Sequence, residues 1–136
     1  MTELSDHGPN PYVVDIEQAT LENENYRTTL WTGKNLQLTV MTIAVGDDIG
    51  LEVHGHNDQF LRVEQGTGHV QMGPTEDELN FDEVVEDDWV MCIPAGSWHN
   101  VTNVGDEPLK LYSIYAPVEH AHGTVHETKD DDQHDH

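Results

Sequence analysis

Apolar and polar residues alternate with a period of two through most of the chain, the pattern of strands buried on one face. It predicts strands over Arg27–Trp31, Leu36–Ala44, Ile49–His54, Gln59–Glu64, Gly68–Gly73, Phe81–Val85, Asp88–Ile93, His99–Val104 and Leu109–Tyr115. Turn-forming clusters separate them, among them Thr32-Gly33-Lys34-Asn35, Gly46-Asp47-Asp48, Gly55-His56-Asn57-Asp58, Pro94-Ala95-Gly96 and Gly105-Asp106-Glu107-Pro108. Turns recurring every roughly 8–12 residues are the rhythm of an all-β sandwich or barrel. Asp15–Asn25 alone has weak helical character, without a sustained apolar face. The expectation is one antiparallel β-domain over residues 12–117, a polar arm over 1–11 and a His/Asp-rich tail over 118–136. The run Asp130-Asp131-Asp132 reads as a solvated, loose end, with His134 and His136 spare histidines able to scavenge metal.

Length and charge narrow the partners. With 136 residues the chain is long enough for a self-supporting core, and its single cysteine, Cys92, excludes a disulfide framework and a cysteine-rich zinc fold. Five Lys and Arg stand against 27 Asp and Glu, a formal charge of −22. Such a field repels nucleic acid and anionic lipid, so neither is an expected partner. The acids sit between apolar alternations instead of replacing them, so the charge implies an acidic surface, not disorder. It also suits a high-salt source, where a Debye length of about 3 Å at 1 M screens self-repulsion. The chain carries no apolar run of bilayer-spanning length and no secretory start, which leads us to expect a cytoplasmic protein.

Candidate chemistry gathers on three predicted strands. Glu52 and His54 are two apart and share a face; Gln59 opens the next strand and His99 a later one. Two imidazoles and a carboxylate suit one divalent first-row ion with positions left open for substrate, and Mn, Fe or Zn fits such a set. A lone strand histidine that packs through a hydrogen bond is the plain alternative. His56, Asp58 and Tyr112, with Tyr115, are candidates to move a proton near the ion. Cys92, in an alternating strand, reads as a buried inert thiol. Leu61, Val63, Met91, Trp89 and Trp98 either line a small-molecule pocket or fill the barrel. His120, His122 and His126 either fold back over the barrel mouth or belong to the loose tail. A phosphorylated substrate needs cations, and Arg27, Lys34, Arg62, Lys110 and Lys129 are all the chain has.

The spacing of these residues resembles the two motifs of the cupin superfamily. Gly46, five residues, Glu52-x-His54, four residues, Gln59, six residues and Gly66 follow the first motif. Pro94-x-Gly96-x2-His99-x3-Asn103 follows the second. Glu52 stands where the family has its first histidine, Gln59 where it has glutamate, and Asp88 where the second motif opens on glycine. The resemblance implies a double-stranded β-helix (jelly-roll) barrel and a metal on Glu52, His54, Gln59 and His99. It also implies pairing as a homodimer. The runs Leu30-Trp31-Thr32-Gly33-Lys34, Asp58-Gln59-Phe60, Tyr112-Ser113-Ile114-Tyr115-Ala116-Pro117 and Gly123-Thr124-Val125-His126 are similar to small cupins labelled mannose-6-phosphate isomerase-like. That likeness implies metal-dependent aldose–ketose isomerisation of a carbohydrate-like substrate. A non-heme iron dioxygenase and a non-catalytic small-molecule sensor are the alternatives.

Overall fold

The computed structural model describes residues 3–134, leaving aside the side chains of residues 133 and 134. The His134/His136 pair therefore lies outside what is described. Nine strands and two short helices follow in the order α1 (Ile16–Glu22), β1 (Arg27–Thr32), β2 (Gln37–Ile43), β3 (Asp58–Gln65), β4 (Thr67–Gly73), β5 (Phe81–Glu86), β6 (Val90–Ile93), β7 (Trp98–Asn103), β8 (Leu109–Ala116), β9 (Val125–His126) and α2 (Lys129–His134). They form a six-stranded sheet, β6-β3-β8-β2-β1-β9, and a three-stranded sheet, β5-β4-β7, with antiparallel pairing throughout. This is the jelly-roll barrel that the alternation and the motifs imply. Met41, Ile43, Leu61, Val63, Val70, Met91, Val101, Leu109 and Leu111 fill the space between the sheets.

Strand register sorts the interior of the large sheet into rows, because directly opposed residues share a face. Gln59, Tyr115 and Gln37 form one row; Leu61, Ser113, Thr39 and Thr29 the next; Val63, Leu111, Met41, Arg27 and His126 a third. The rows become polar toward β1 and β9, where the barrel is closed by the chain that follows β8.

Three sequence expectations are corrected. Residues 49–54 do not form a continuous strand. Gly50, at φ +86°, breaks the extended run, and only isolated bridges at Asp48 and Glu52 reach β7. The weakly helical stretch is a helix, as its sequence suggests: α1 is capped by Asp15, whose side chain accepts the Gln18 N–H at 3.1 Å. Its buried face is only Ala19 and Thr20, small residues that let it lie on the outer face of the sheet beside Leu30 and Val40. Cys92 is exposed on the edge strand β6, not buried, and Trp89 is likewise half-exposed beside it.

The third correction concerns the chain ends. The arm is knitted to β1: Asp6 accepts from the Thr32 and Gly8 N–H groups, and Gly8 passes so close to the Thr32 backbone that a Cβ there would overlap it. Residues 117–126 form a strap across the barrel. Fully buried Gln37 clasps it both ways, donating to the His120 carbonyl at 2.8 Å and accepting the His120 N–H at 2.8 Å. Asp6 also accepts the Gly123 N–H at 2.8 Å, tying arm to strap. Such backbone anchors carry no periodicity, so the alternation of side chains could not announce them.

Lys110 projects from β8 to the outer side and ends α1. Its amine donates to the Leu21 and Asn23 carbonyls at 2.8 and 2.7 Å, groups that the helix itself cannot satisfy. Lys110→Met is expected to destabilise the fold by ~1–3 kcal/mol, the cost of leaving buried acceptors unpaired. Urea unfolding monitored by circular dichroism checks this.

Candidate metal centre

Glu52 and His99 meet because their backbones bridge: the Glu52 N–H donates to His99 O at 3.0 Å and the His99 N–H to Glu52 O at 2.9 Å. The Gly96 N–H donates to His54 O at 2.8 Å, fixing the Pro94–Gly96 turn beneath the next histidine. Glu52, His54 and His99 thus converge, with one ligand atom of each within 4.8 Å of the others. Glu52 Oε1 stands 3.2 Å from His54 Nε2 and 3.4 Å from His99 Nε2. The imidazole centroids are 5.4 Å apart.

The donor set fits a metal ion on two grounds. His99 is fully buried, and its Nδ1–H donates to the Ser97 carbonyl at 3.0 Å. That bond places the ring's lone pair on Nε2, which is buried, faces Glu52 and has no hydrogen-bond partner. His54 likewise turns Nε2 toward Glu52 and Nδ1 toward Glu119 Oε2, at 3.4 Å. Gln59 stands on the same interior face, opposite Tyr115, with its carbonyl Oε1 buried and without a hydrogen-bond partner. A second group of acids, Glu64, Asp87 and Asp88, also comes together, but it has no imidazole, and Arg62 bridges it through Glu64 and Asp88.

Electrostatics bind the cluster into a unit. Burial works against charge on Glu52, but the neighbouring imidazoles, His54 first, prevail and draw its pKa down to about 2. Burial likewise opposes charge on His54, yet Glu119 and Glu52 together lift it to about 9. Glu119 is drawn to about 2 chiefly by its bond to His54 and further by Asn57, whose Nδ2 donates to Oε1 at 3.0 Å. A proton on His54 and a metal ion beside it are alternative sources of the positive charge these carboxylates demand.

The other candidates fall elsewhere. His56 is exposed on the loop before β3. Asp58 is exposed too and accepts the Ala95 N–H at 2.9 Å, pinning the Pro94–Gly96 turn. Tyr112 lies on the outer face of β8, beside Phe60 and the α1 cluster. Tyr115, three residues on, faces inward with its ring edge-on to His54 at 5.9 Å. His120 stacks edge-on between Tyr115 and His126, and burial with nearby Arg27 pushes it down to about 4. His122 donates to the Gly8 carbonyl at 2.7 Å on the arm. Of the three strap histidines, none joins the ligand cluster.

Glu119 is the residue beside the cluster that sequence reasoning did not single out. Glu119 sits on the strap outside both motifs, so only the docked strap reveals it. A carboxylate behind a ligating imidazole orients the ring and raises its basicity. Glu119→Ala is therefore expected to weaken first-row metal affinity roughly 10–100-fold. Glu119→Gln, which keeps an acceptor, should cost less. Titration against a chromophoric chelator separates the two.

Comparison with known proteins agrees with this architecture. The cupin domain family matches residues 39–115. The Bacillus subtilis protein YrkC is 59% identical over 94% of this chain and 69% of its own length. A mimivirus protein, L612, is 36% identical over 84% of this chain and 70% of its own. The crystal structure of BH2720 from Bacillus halodurans superposes with a TM-score of 0.95 at 61% identity, covering 96% of this chain and 98% of that one. A predicted oxalate decarboxylase from Thermotoga maritima gives a TM-score of 0.59 at 16% identity over 68% of this chain and 79% of its own, a likeness of fold alone.

Proposed function

Because this chain belongs to the cupin domain family, we propose that it is a metal-dependent enzyme acting on a small hydroxylated molecule inside the barrel. Glu52, His54 and His99, with Gln59 beside them, hold one divalent first-row ion. The observation that carries this reading is the buried, unpartnered Nε2 of His99 aimed at Glu52. When bound, such an ion supplies Lewis-acid stabilisation of a developing oxyanion, or, as iron(II), a site for oxygen. Aldose–ketose isomerisation is the reaction we put first. From the protein it requires neutral imidazoles on the ion and a carboxylate or imidazole to carry a proton between carbons. Glu119 is the ionised carboxylate beside the cluster that could take that part, in preference to His56, Asp58 or Tyr112.

The second reading, an iron(II) oxygenase, is favoured by ligand composition: two histidines and one carboxylate are the facial set of that chemistry, and it needs no proton carrier. Elemental analysis of protein purified without nickel decides between them. Manganese or zinc at near one equivalent, with aldose–ketose turnover in a sugar screen, supports the isomerase. Iron at near one equivalent, with substrate-dependent oxygen uptake, supports the oxygenase. A chain that takes up no ion after reconstitution with each metal overturns both.

A further inference from the structure

Of the five basic residues, Arg27 alone enters the barrel. Lys34 is exposed, Arg62 and Lys129 form surface pairs, and Lys110 ends α1 outside. Arg27 projects from β1 in the interior row shared with Met41 and Leu111, and only 3% of it meets solvent. Its Nη1 donates to Asp132 Oδ1 at 2.6 Å and stands 3.0 Å from His126 Nδ1, while its buried Nε has no hydrogen-bond partner. Two further buried groups without hydrogen-bond partners, Thr39 Oγ1 and Ser113 Oγ, oppose each other in the adjoining row. Tyr115 lies between these residues and the metal centre: its phenol interacts with Arg27 and its ring edge meets His54.

The carboxylate on Arg27 comes from α2, a six-residue helix that follows β9 near the end of the described chain. A buried ion pair gains little stability net of its desolvation. An interior guanidinium with its Nε unpartnered, next to a row that holds two buried hydroxyls without hydrogen-bond partners, is by contrast suited to recognising an anionic oxygen ligand. We propose that Arg27 is the carboxylate-recognition residue of the substrate site and that Asp132 occupies it as an internal stand-in. The substrate class is a small hydroxylated carboxylic acid. Its carboxylate displaces Asp132 from Arg27, and its hydroxyl end points past Tyr115 toward Glu52, His54 and His99. The second half rests on the metal reading above; the first does not. An intramolecular competitor lowers apparent affinity by the fraction of molecules in which Arg27 is free, so removing it should tighten binding.

Glycolate is the probe, with neutral glycolamide as control, titrated by calorimetry into the full chain, metal-free and reconstituted. Asp132→Asn should bind glycolate at least tenfold more tightly than wild type and glycolamide no better. Adding Arg27→Gln to Asp132→Asn should abolish the gain. In the wild type, saturating glycolate should speed amide exchange at residues 128–132 as α2 is released, a readout that does not depend on any variant folding. Equal glycolate affinity in wild type and Asp132→Asn, or unchanged exchange in α2, overturns the proposal and leaves Asp132 a structural clasp. Glycolate bound through Arg27 by a chain that takes up no metal upholds this site and overturns the metal reading; the reverse result does the opposite.

Discussion

His99→Ala is expected to abolish stoichiometric metal binding, with a loss beyond the roughly 100-fold upper range for an outer partner of a ligand. The ring is fully buried and held in one tautomer by the Ser97 carbonyl. No neighbouring described side chain offers a substitute nitrogen at that point, since His54 is already committed to Glu52 and Glu119. His54→Ala should lose the ion as well. It should also let the Glu119 pKa rise back toward the ordinary carboxylate range. Metal content after dialysis, with circular dichroism to confirm folding, gives the answer. A His99→Ala protein that keeps metal within threefold of wild type would exclude this residue as a ligand.

Metal-free protein is expected to lose stability on the alkaline side. His54 titrates near 9 when folded against an ordinary 6.5, so the folded state holds its proton more tightly than the unfolded one. The contribution is complete below about pH 6.5 and is lost as pH rises through 9. At 1.36 kcal/mol per unit it is on the order of 3 kcal/mol. Glu52 and Glu119, each near 2 against an ordinary 4.5, report the same contacts from the other side. Their share is present above pH 4.5 and lost as pH falls through 2. These shared contacts are not additive, and they favour the metal-free fold most between about pH 4.5 and 6.5. Added metal displaces the His54 proton, so the alkaline loss should flatten and apparent affinity should rise about tenfold per pH unit up to pH 9. Urea midpoints at pH 6 and 9, with and without chelator, test this; equal midpoints in chelator would mean His54 is not an imidazolium between two carboxylates.

What the sequence made legible is what alternation and spacing encode. Strands β3, β4, β7 and β8 fall where period-two patterning puts them, and the motif spacing brings Glu52, His54 and His99 together across a turn. Parity also separates the tyrosines: Tyr112 and Tyr115, three apart on one strand, must face opposite ways. The outer face of β8 is covered by α1, so both looked equally apolar in the sequence, and only register opposite Gln59 identifies Tyr115 as the inward one. Gly50 hid a break inside an alternating run. The strap was illegible for a different reason: Gln37, Thr29 and Asp6 hold it mainly through its backbone, which any side chain supplies. Glu119 and Asp132 therefore read as solvated acids until their partners 65 and 105 positions earlier come into view.

The clasp between arm and strap joins residues 117 apart in sequence. Synthesis delivers Glu52, His54 and His99 well before Glu119, and the strap can dock only after β8 has entered the sheet. On the metal reading proposed above, a chain arrested at that stage has all three ligands but lacks the carboxylate behind His54, and is expected to hold metal weakly. Closing so long a loop costs chain entropy before its contacts repay it. Tight metal retention would then be a property of finished molecules alone, making the ion a record that both ends of the barrel have been tied.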